Sequence, residues 1–217
     1  MGASRMTALS ASVYAADPFR LAEEIDAVSA SVESLHLDVM DGVFAPEYGL
    51  SARLIRDLSR RTSMPLDVHL MVARPKNSVI RFSEIGVRSI AIHLEADQDF
   101  RELTAIGRSN GVKVYAALRH TTPVAALDAE LDHVDGCLLL TAPAGGGAFD
   151  QHAFDRLAQR PNGLYTVVDG RIEPEHFKRL NRFQVDMAVV GAALFIEGQA
   201  KAKAEEYSKM LGRKFSA

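Results

Sequence analysis

Cysteine is almost absent, with Cys137 the single one in 217 residues. An internal disulfide framework is excluded, and an intracellular, cytoplasmic protein is favoured. Cys137 sits in the apolar run 136–140 and reads as a buried core thiol. Long hydrophobic runs are also lacking. No uninterrupted stretch of about 20 apolar residues occurs, so no membrane-spanning helix is expected. The opening Met1, Gly2, Ala3, Ser4 and Arg5 offers no apolar core for a secretory signal. Neither sign of charge dominates, since 25 Lys and Arg stand against 28 Asp and Glu for a net −3. That balance gives no electrostatic case for nucleic acid or an anionic membrane surface.

What remains is an ordinary globular composition, 47% hydrophobic and 24% charged. The length suits one domain, residues 1–217, near the short end for an eight-fold barrel. Short apolar runs alternate with longer amphipathic segments. The runs predict strands over 9–13, 32–38, 66–70, 89–93, 113–118, 136–140, 164–169 and 187–191. Several are too continuously apolar for a half-exposed sheet and read as parallel strands covered by helices. Helix starts fall between them. Asp17-Pro18 offers an N-cap with Pro at the first helical position. Further starts are read at Ser51, Pro75, Asp99, Thr122-Pro123, Asp150, Pro174 and Gln199, with Gly111 and Gly163 as stops. Eight alternations favour a closed (β/α)8 barrel and also admit an open doubly wound sheet. In a barrel, the chemistry lies at the C-terminal strand ends.

Those ends carry ligand-type side chains. The second run finishes His36-Leu37-Asp38-Val39-Met40-Asp41-Gly42, and the period of two puts His36 and Asp38 on one face. The third finishes Asp67-Val68-His69-Leu70-Met71, and the seventh Val167-Val168-Asp169-Gly170. One His-x-Asp pair alone is a weak signal, usually structural. Two imidazoles and two carboxylates at strand ends suit zinc, iron(II), manganese or cobalt, and isolated charges are seldom buried without a partner. Asp67 lies one position deeper on the face of His69 and is expected to orient it. His93 ends the fourth run, either lining the pocket or packed as a satisfied core residue.

At these residues the chain resembles the ribulose-phosphate 3-epimerase family, from about residue 9 to 195. The motifs are residues 36–42, Pro65 through Met71, Val167 through Gly170, and the opening Ala11-Ser12-Val13-Tyr14-Ala15-Ala16-Asp17. They match in order and spacing across four strands. The resemblance implies a single (β/α)8 TIM barrel with one divalent metal held by His36, Asp38, His69 and Asp169. It implies that Asp38 and Asp169 are the catalytic acid/base pair, that Ser12 lies near the substrate, and that Met40 and Met71 cap the reacting centre beside His69. The implied partner is a small-molecule sugar phosphate, and the implied assembly a homo-oligomer, dimer or hexamer. The implied reaction interconverts D-ribulose 5-phosphate and D-xylulose 5-phosphate by proton transfer at C3, through a metal-stabilised 2,3-enediolate.

The phosphate end departs from the family. After the sixth strand stands Thr141-Ala142-Pro143-Ala144-Gly145-Gly146-Gly147-Ala148-Phe149, shorter than the family's Asn-Pro-Gly-Phe-Gly-Gly-Gln loop. Asp-Gly-Gly-Ile becomes Asp169-Gly170-Arg171-Ile172, Gly-Ser becomes Gly191-Ala192, and Asn-Pro becomes Arg119-His120. Arg171 is expected to bind the terminal anion with backbone amides near Gly145, Gly146, Gly147, Gly191 and Ala192, unless it turns to solvent or to Glu173. An allulose 6-phosphate or a tetrulose phosphate is the alternative substrate, and a non-catalytic metabolite-binding barrel the alternative role. Related phosphate decarboxylases use a lysine amid aspartates. This chain has Asp-Val-Met-Asp at 38–41 and Asp-Val-His at 67–69 there, which ranks that chemistry lower.

Overall fold

The computed structural model describes residues 6–97 and 99–212. Eight parallel strands close into a barrel in chain order. They are β1 (Ala8–Ser12), β2 (Ser34–Met40), β3 (Leu66–Met71), β4 (Ser89–His93), β5 (Lys113–Leu118), β6 (Gly136–Leu140), β7 (Thr166–Asp169) and β8 (Met187–Val190). The helices are α1 (Leu21–Val28), α2 (Ala52–Arg61), α3 (Lys76–Ile85), α4 (Phe100–Ser109), α5 (Gln151–Asp155), α6 (Pro174–Phe183) and α7 (Ala200–Leu211). The open-sheet alternative is therefore excluded. No described helix is long and apolar enough to cross a membrane.

Alternation along each strand divides the core in two. Leu35, Leu37, Val68, Leu70, Ile90, Ile92, Val114, Leu139 and Val168 face outward onto the helices and are almost fully buried. Each such side chain contributes about 1.5–3 kcal/mol of transfer free energy. Cys137 belongs to this outer shell, where burial pushes its thiol up to about 11, so it is the inert core residue expected. The inner positions are more varied in size. Ala91, Tyr115, Ala117, Leu138, Leu140, Val167, Met187 and Val189 fill the barrel.

Most helix starts follow the residues that predict them. Ser51 accepts a hydrogen bond from the Leu54 amide, Asp99 from Arg101 and Glu102, and Asp150 from His152 and Ala153. Two expectations need correction. The Asp17 carboxylate accepts from the Phe19 amide, which spends it on a turn, and α1 begins only at Leu21. Thr122-Pro123 opens no α-helix. The β5–β6 connection is two 3-10 turns, Val124–Leu127 and Leu131–His133. The buried Arg156 guanidinium holds it down through hydrogen bonds to the carbonyls of Arg119, Thr122 and Leu140.

The N-terminal end of the barrel is plugged by charge. Asp67 accepts from Arg88 and from the Ser89 hydroxyl, and Tyr115 stacks on Tyr165 beside them. Asp67 is therefore no partner of His69. Two residues of strand separate them by about 6–7 Å, and Asp67 is committed to Arg88 at the far end.

Candidate functional site

The inward period of β2, β3 and β7 brings four side chains together at the C-terminal mouth. Pairing of β2 with β3 sets Asp38 opposite His69, and pairing of β6 with β7 sets Leu140 opposite Asp169. One ligand-type atom from each of His36, Asp38, His69 and Asp169 lies within 4.8 Å of the others. His36 Nε2 is 3.4 Å from Asp38 Oδ1 and 3.5 Å from Asp169 Oδ2. His69 Nδ1 is 3.3 Å from each of the same two oxygens. His36, Asp38 and His69 are buried, and the Asp169 side chain is 14% exposed.

The charges in this cluster are strongly coupled. Burial disfavours the imidazolium of His36, but the Asp38 and Asp169 carboxylates outweigh it and carry its pKa up to about 10. Burial likewise opposes protonation of His69, and Asp169 and Asp38 raise it. Burial raises both carboxylates, yet the two imidazoles hold Asp38 and Asp169 below the ordinary range. Asp38 Oδ2 accepts from the Ser12 hydroxyl at 2.7 Å. Its Oδ1 is buried and has no hydrogen-bond partner among the described residues. An orphaned carboxylate oxygen facing two imidazole nitrogens at 3.3–3.4 Å is the arrangement of ligands gathered around a shared cation. The donor set therefore fits a divalent metal.

Above the cluster opens a cavity of about 320 Å3, at the low end of the size range for small-molecule sites. Of the residues singled out from the sequence, Ser12, Asp38, Met40, Met71, Gly145, Gly146, Asp169, Gly170, Arg171, Gly191 and Ala192 line it. His36 and His69 lie beneath this lining, and Gly147 stands just outside it. Arg171 adopts a left-handed backbone with φ 56°, which L-residues other than Asn and Asp rarely accept. Its Nε donates to the Gly147 carbonyl at 2.9 Å, tying the loop after β7 to the Gly-rich loop after β6. Glu173 instead uses its backbone amide to donate to His176 Nδ1, at the start of α6.

Four contributors, Asp41, Arg119, Phe44 and Glu95, were given no role by the sequence reading. Asp41, just past β2, accepts from the amides of Val43, Phe44 and Ala73, and so fastens the loop after β2 to the loop after β3. The doublet Asp41-Gly42 was visible, but Ala73 as partner was not. Arg119 lays its guanidinium 3.7 Å from the centroid of the Phe44 ring and donates to the Phe44 carbonyl at 2.7 Å. Phe44 in turn packs on His93, which contacts His69 and Glu95. Burial lowers His93 to about 4, and Glu95 is held at about 2, against its own burial, by His93, Thr122 and the Arg119 amide. The spacing His93-x-Glu95 at a strand end was the available signal.

Comparison with known proteins points one way. The model of the ribulose-phosphate 3 epimerase family matches residues 8–195. The ribulose-phosphate 3-epimerase of Treponema pallidum is 34% identical over 170 residues, covering 74% of this chain and 78% of that one. The enzyme of that name from Aquifex aeolicus is 28% identical over 210 residues, covering 90% and 95%. Among solved structures, KGPDC from Streptococcus mutans in complex with D-R5P superposes with a TM-score of 0.76 at 9% identity, over 94% of this chain and 97% of that one. The 3-hexulose-6-phosphate synthase of Salmonella typhimurium gives 0.75 at 12% identity, over 94% and 98%. At such identities these two likenesses speak for the barrel alone.

Proposed function

The chain belongs to the ribulose-phosphate 3-epimerase family, and from that premise we propose that it is a metal-dependent 3-epimerase of a ketose phosphate, with D-ribulose 5-phosphate and D-xylulose 5-phosphate as the leading pair. The observation that carries this reading is the convergence of His36, Asp38, His69 and Asp169 beneath a cavity of substrate size. The four side chains would hold zinc, manganese, iron(II) or cobalt. A bound divalent ion supplies positive charge against the oxygens at C2 and C3 as the C3 proton leaves.

The rest belongs to the chain. Inversion at C3 needs one group to take a proton from one face and another to deliver it to the other. Asp38 and Asp169 come from β2 and β7, across the mouth from each other, and both line the cavity. One serves as base while the other serves as acid. Ser12 fixes the orientation of Asp38 through Oδ2, leaving Oδ1 to the cluster. Burial pushes each carboxylate toward its protonated form, and the imidazoles resist it. Met40 and Met71 cover the reacting centre with apolar, polarizable surface. The terminal phosphate lies against the amides near Gly145, Gly146, Gly147, Gly170, Gly191 and Ala192, with Arg171 beside it. The same reading makes the protein a cytoplasmic single-domain enzyme working as a dimer or hexamer.

A second reading keeps the chemistry and changes the sugar. Arg171, tied to Gly147, stands where the family has glycine, and that departure leaves an allulose 6-phosphate or a tetrulose phosphate as the alternative substrate. The test is a panel of pentulose, hexulose and tetrulose phosphates incubated with metal-loaded protein in deuterated water. Deuterium at C3 of one member, with inversion, is expected. Exchange at C1, loss of carbon dioxide, or no exchange in any member refutes the epimerase.

A further inference from the structure

We propose that Glu95 and His93 are positioning residues, acting through two successive hydrogen bonds that keep a proton on His69 Nε2 and leave the His69 Nδ1 lone pair for the cluster. The inference rests on the metal-site reading above and adds the device that prepares one ligand. His69 presents Nδ1 to Asp38 and Asp169 at 3.3 Å. Its Nε2 lies 2.9 Å from His93 Nε2, and His93 Nδ1 lies 3.1 Å from Glu95 Oε2. His69 and His93 are wholly buried, so solvent does not settle where their protons sit.

The donors can be assigned from the far end. The Arg119 backbone amide can only donate, and it does so to Glu95 Oε1 at 2.8 Å, as does the Thr122 hydroxyl. A carboxylate only accepts, so Glu95 Oε2 requires a proton on His93 Nδ1. A second proton on His93 would create a buried cation against Phe44, whose ring already carries the Arg119 guanidinium. His93 Nε2 therefore bears a lone pair and accepts from His69 Nε2–H. A neutral imidazole has one proton, so the fixed Nε2–H leaves Nδ1 free to ligate. Without this chain, the other tautomer would put an N–H where the ion must bind.

The substitution Glu95→Gln reverses the direction of both imidazole hydrogen bonds with almost no change of shape. The amide oxygen must stay on the Arg119 N–H, which turns the NH2 toward His93 Nδ1. His93 then donates from Nε2, and the His69 proton moves to Nδ1. Zinc affinity is expected to fall about 10- to 100-fold, the usual effect of losing an outer partner of a ligand histidine. The test combines zinc competition titration with 15N NMR of the imidazoles in wild-type and Glu95→Gln protein. In wild type, with or without zinc, His93 should show a proton on Nδ1 and a bare Nε2. In the variant that pattern should invert. A wild-type His93 protonated at Nε2 overturns the proposal, even if the variant fails to fold. So does a folded variant that binds zinc within twofold of wild type with an unchanged nitrogen pattern. If wild-type protein binds neither zinc nor manganese, the metal reading fails instead. The metal-free spectrum still decides the proton positions.

Discussion

Replacing Gly170 with alanine tests whether the backbone beside Asp169 is as constrained as the structure makes it. Gly170 has φ 107°, a region essentially closed to side chains. A Cβ there would meet the Ala142 amide nitrogen at 2.7 Å and the Thr141 amide nitrogen at 3.0 Å. These are backbone atoms held in place, since the Thr141 amide donates to the Asp169 carbonyl at 2.7 Å. The conformational part costs about 1–3 kcal/mol. The steric part adds about 1–3 kcal/mol. The sum, about 2–6 kcal/mol, is a large share of a typical stability of 5–15 kcal/mol. Gly163 supplies the control. It has φ 80°, but its Cβ would meet nothing within 4 Å, so Gly163→Ala should lose only about 1–2 kcal/mol. Urea unfolding of both variants, read through the linear dependence on denaturant, isolates the steric share. Because Gly170 is bonded to Asp169, its variant should also lose about 100-fold in turnover on the preferred ketose phosphate, while Gly163→Ala keeps wild-type turnover. If the two alanines cost the same within about 0.5 kcal/mol and both stay active, the close approach of the loops after β6 and β7 does not constrain Asp169.

Arg171→Gly should raise KM for the preferred ketose phosphate about 10- to 100-fold, as expected for losing a hydrogen bond to a charged group, and leave kcat and thermal stability essentially intact. An unchanged KM removes Arg171 from the anion site. Stripping divalent ions with a chelator should lower the melting temperature, and zinc at 100 times its Kd should restore about 2.7 kcal/mol; a melting curve indifferent to both treatments contradicts an ion at the cluster. Glu95 has a folded pKa of about 2, below its ordinary 4.5, so its contribution is complete above pH 4.5 and is lost as pH falls toward 2. Glu95→Gln should therefore flatten the fall in stability across that window, as urea midpoints at successive pH values would show.

The barrel was legible because fully covered parallel strands write themselves as unbroken apolar runs. The fourth, fifth and sixth strands match their predicted limits, and the others shift by a residue or two. Asp99 and Asp150 announced their helices because a capping carboxylate acts on the two or three amides next to it, within reach of sequence. Asp17 misled for the same reason, since a local turn competes for the same oxygen. The connection after Pro123 misled because its form is dictated from elsewhere, by Arg156 some 30 residues on. The four clustered ligand-type residues could be read from period and strand ends. Asp67 was placed one step deeper than His69, but period could not name its partner, Arg88, which stands just before the next strand. The chain from Glu95 to His69 was hidden because it depends on how β3 and β4 lie side by side, which no spacing within one strand records.

The sealed floor of the barrel has a consequence for the order of events. Below the cluster, Leu138, Val167, Met187 and Tyr115 fill the interior, and Arg88 with Asp67 closes the base. On the metal-dependent reading, a divalent ion and a sugar phosphate would share this one mouth, and a seated sugar would cover the ion, so metal loss during turnover would follow product release.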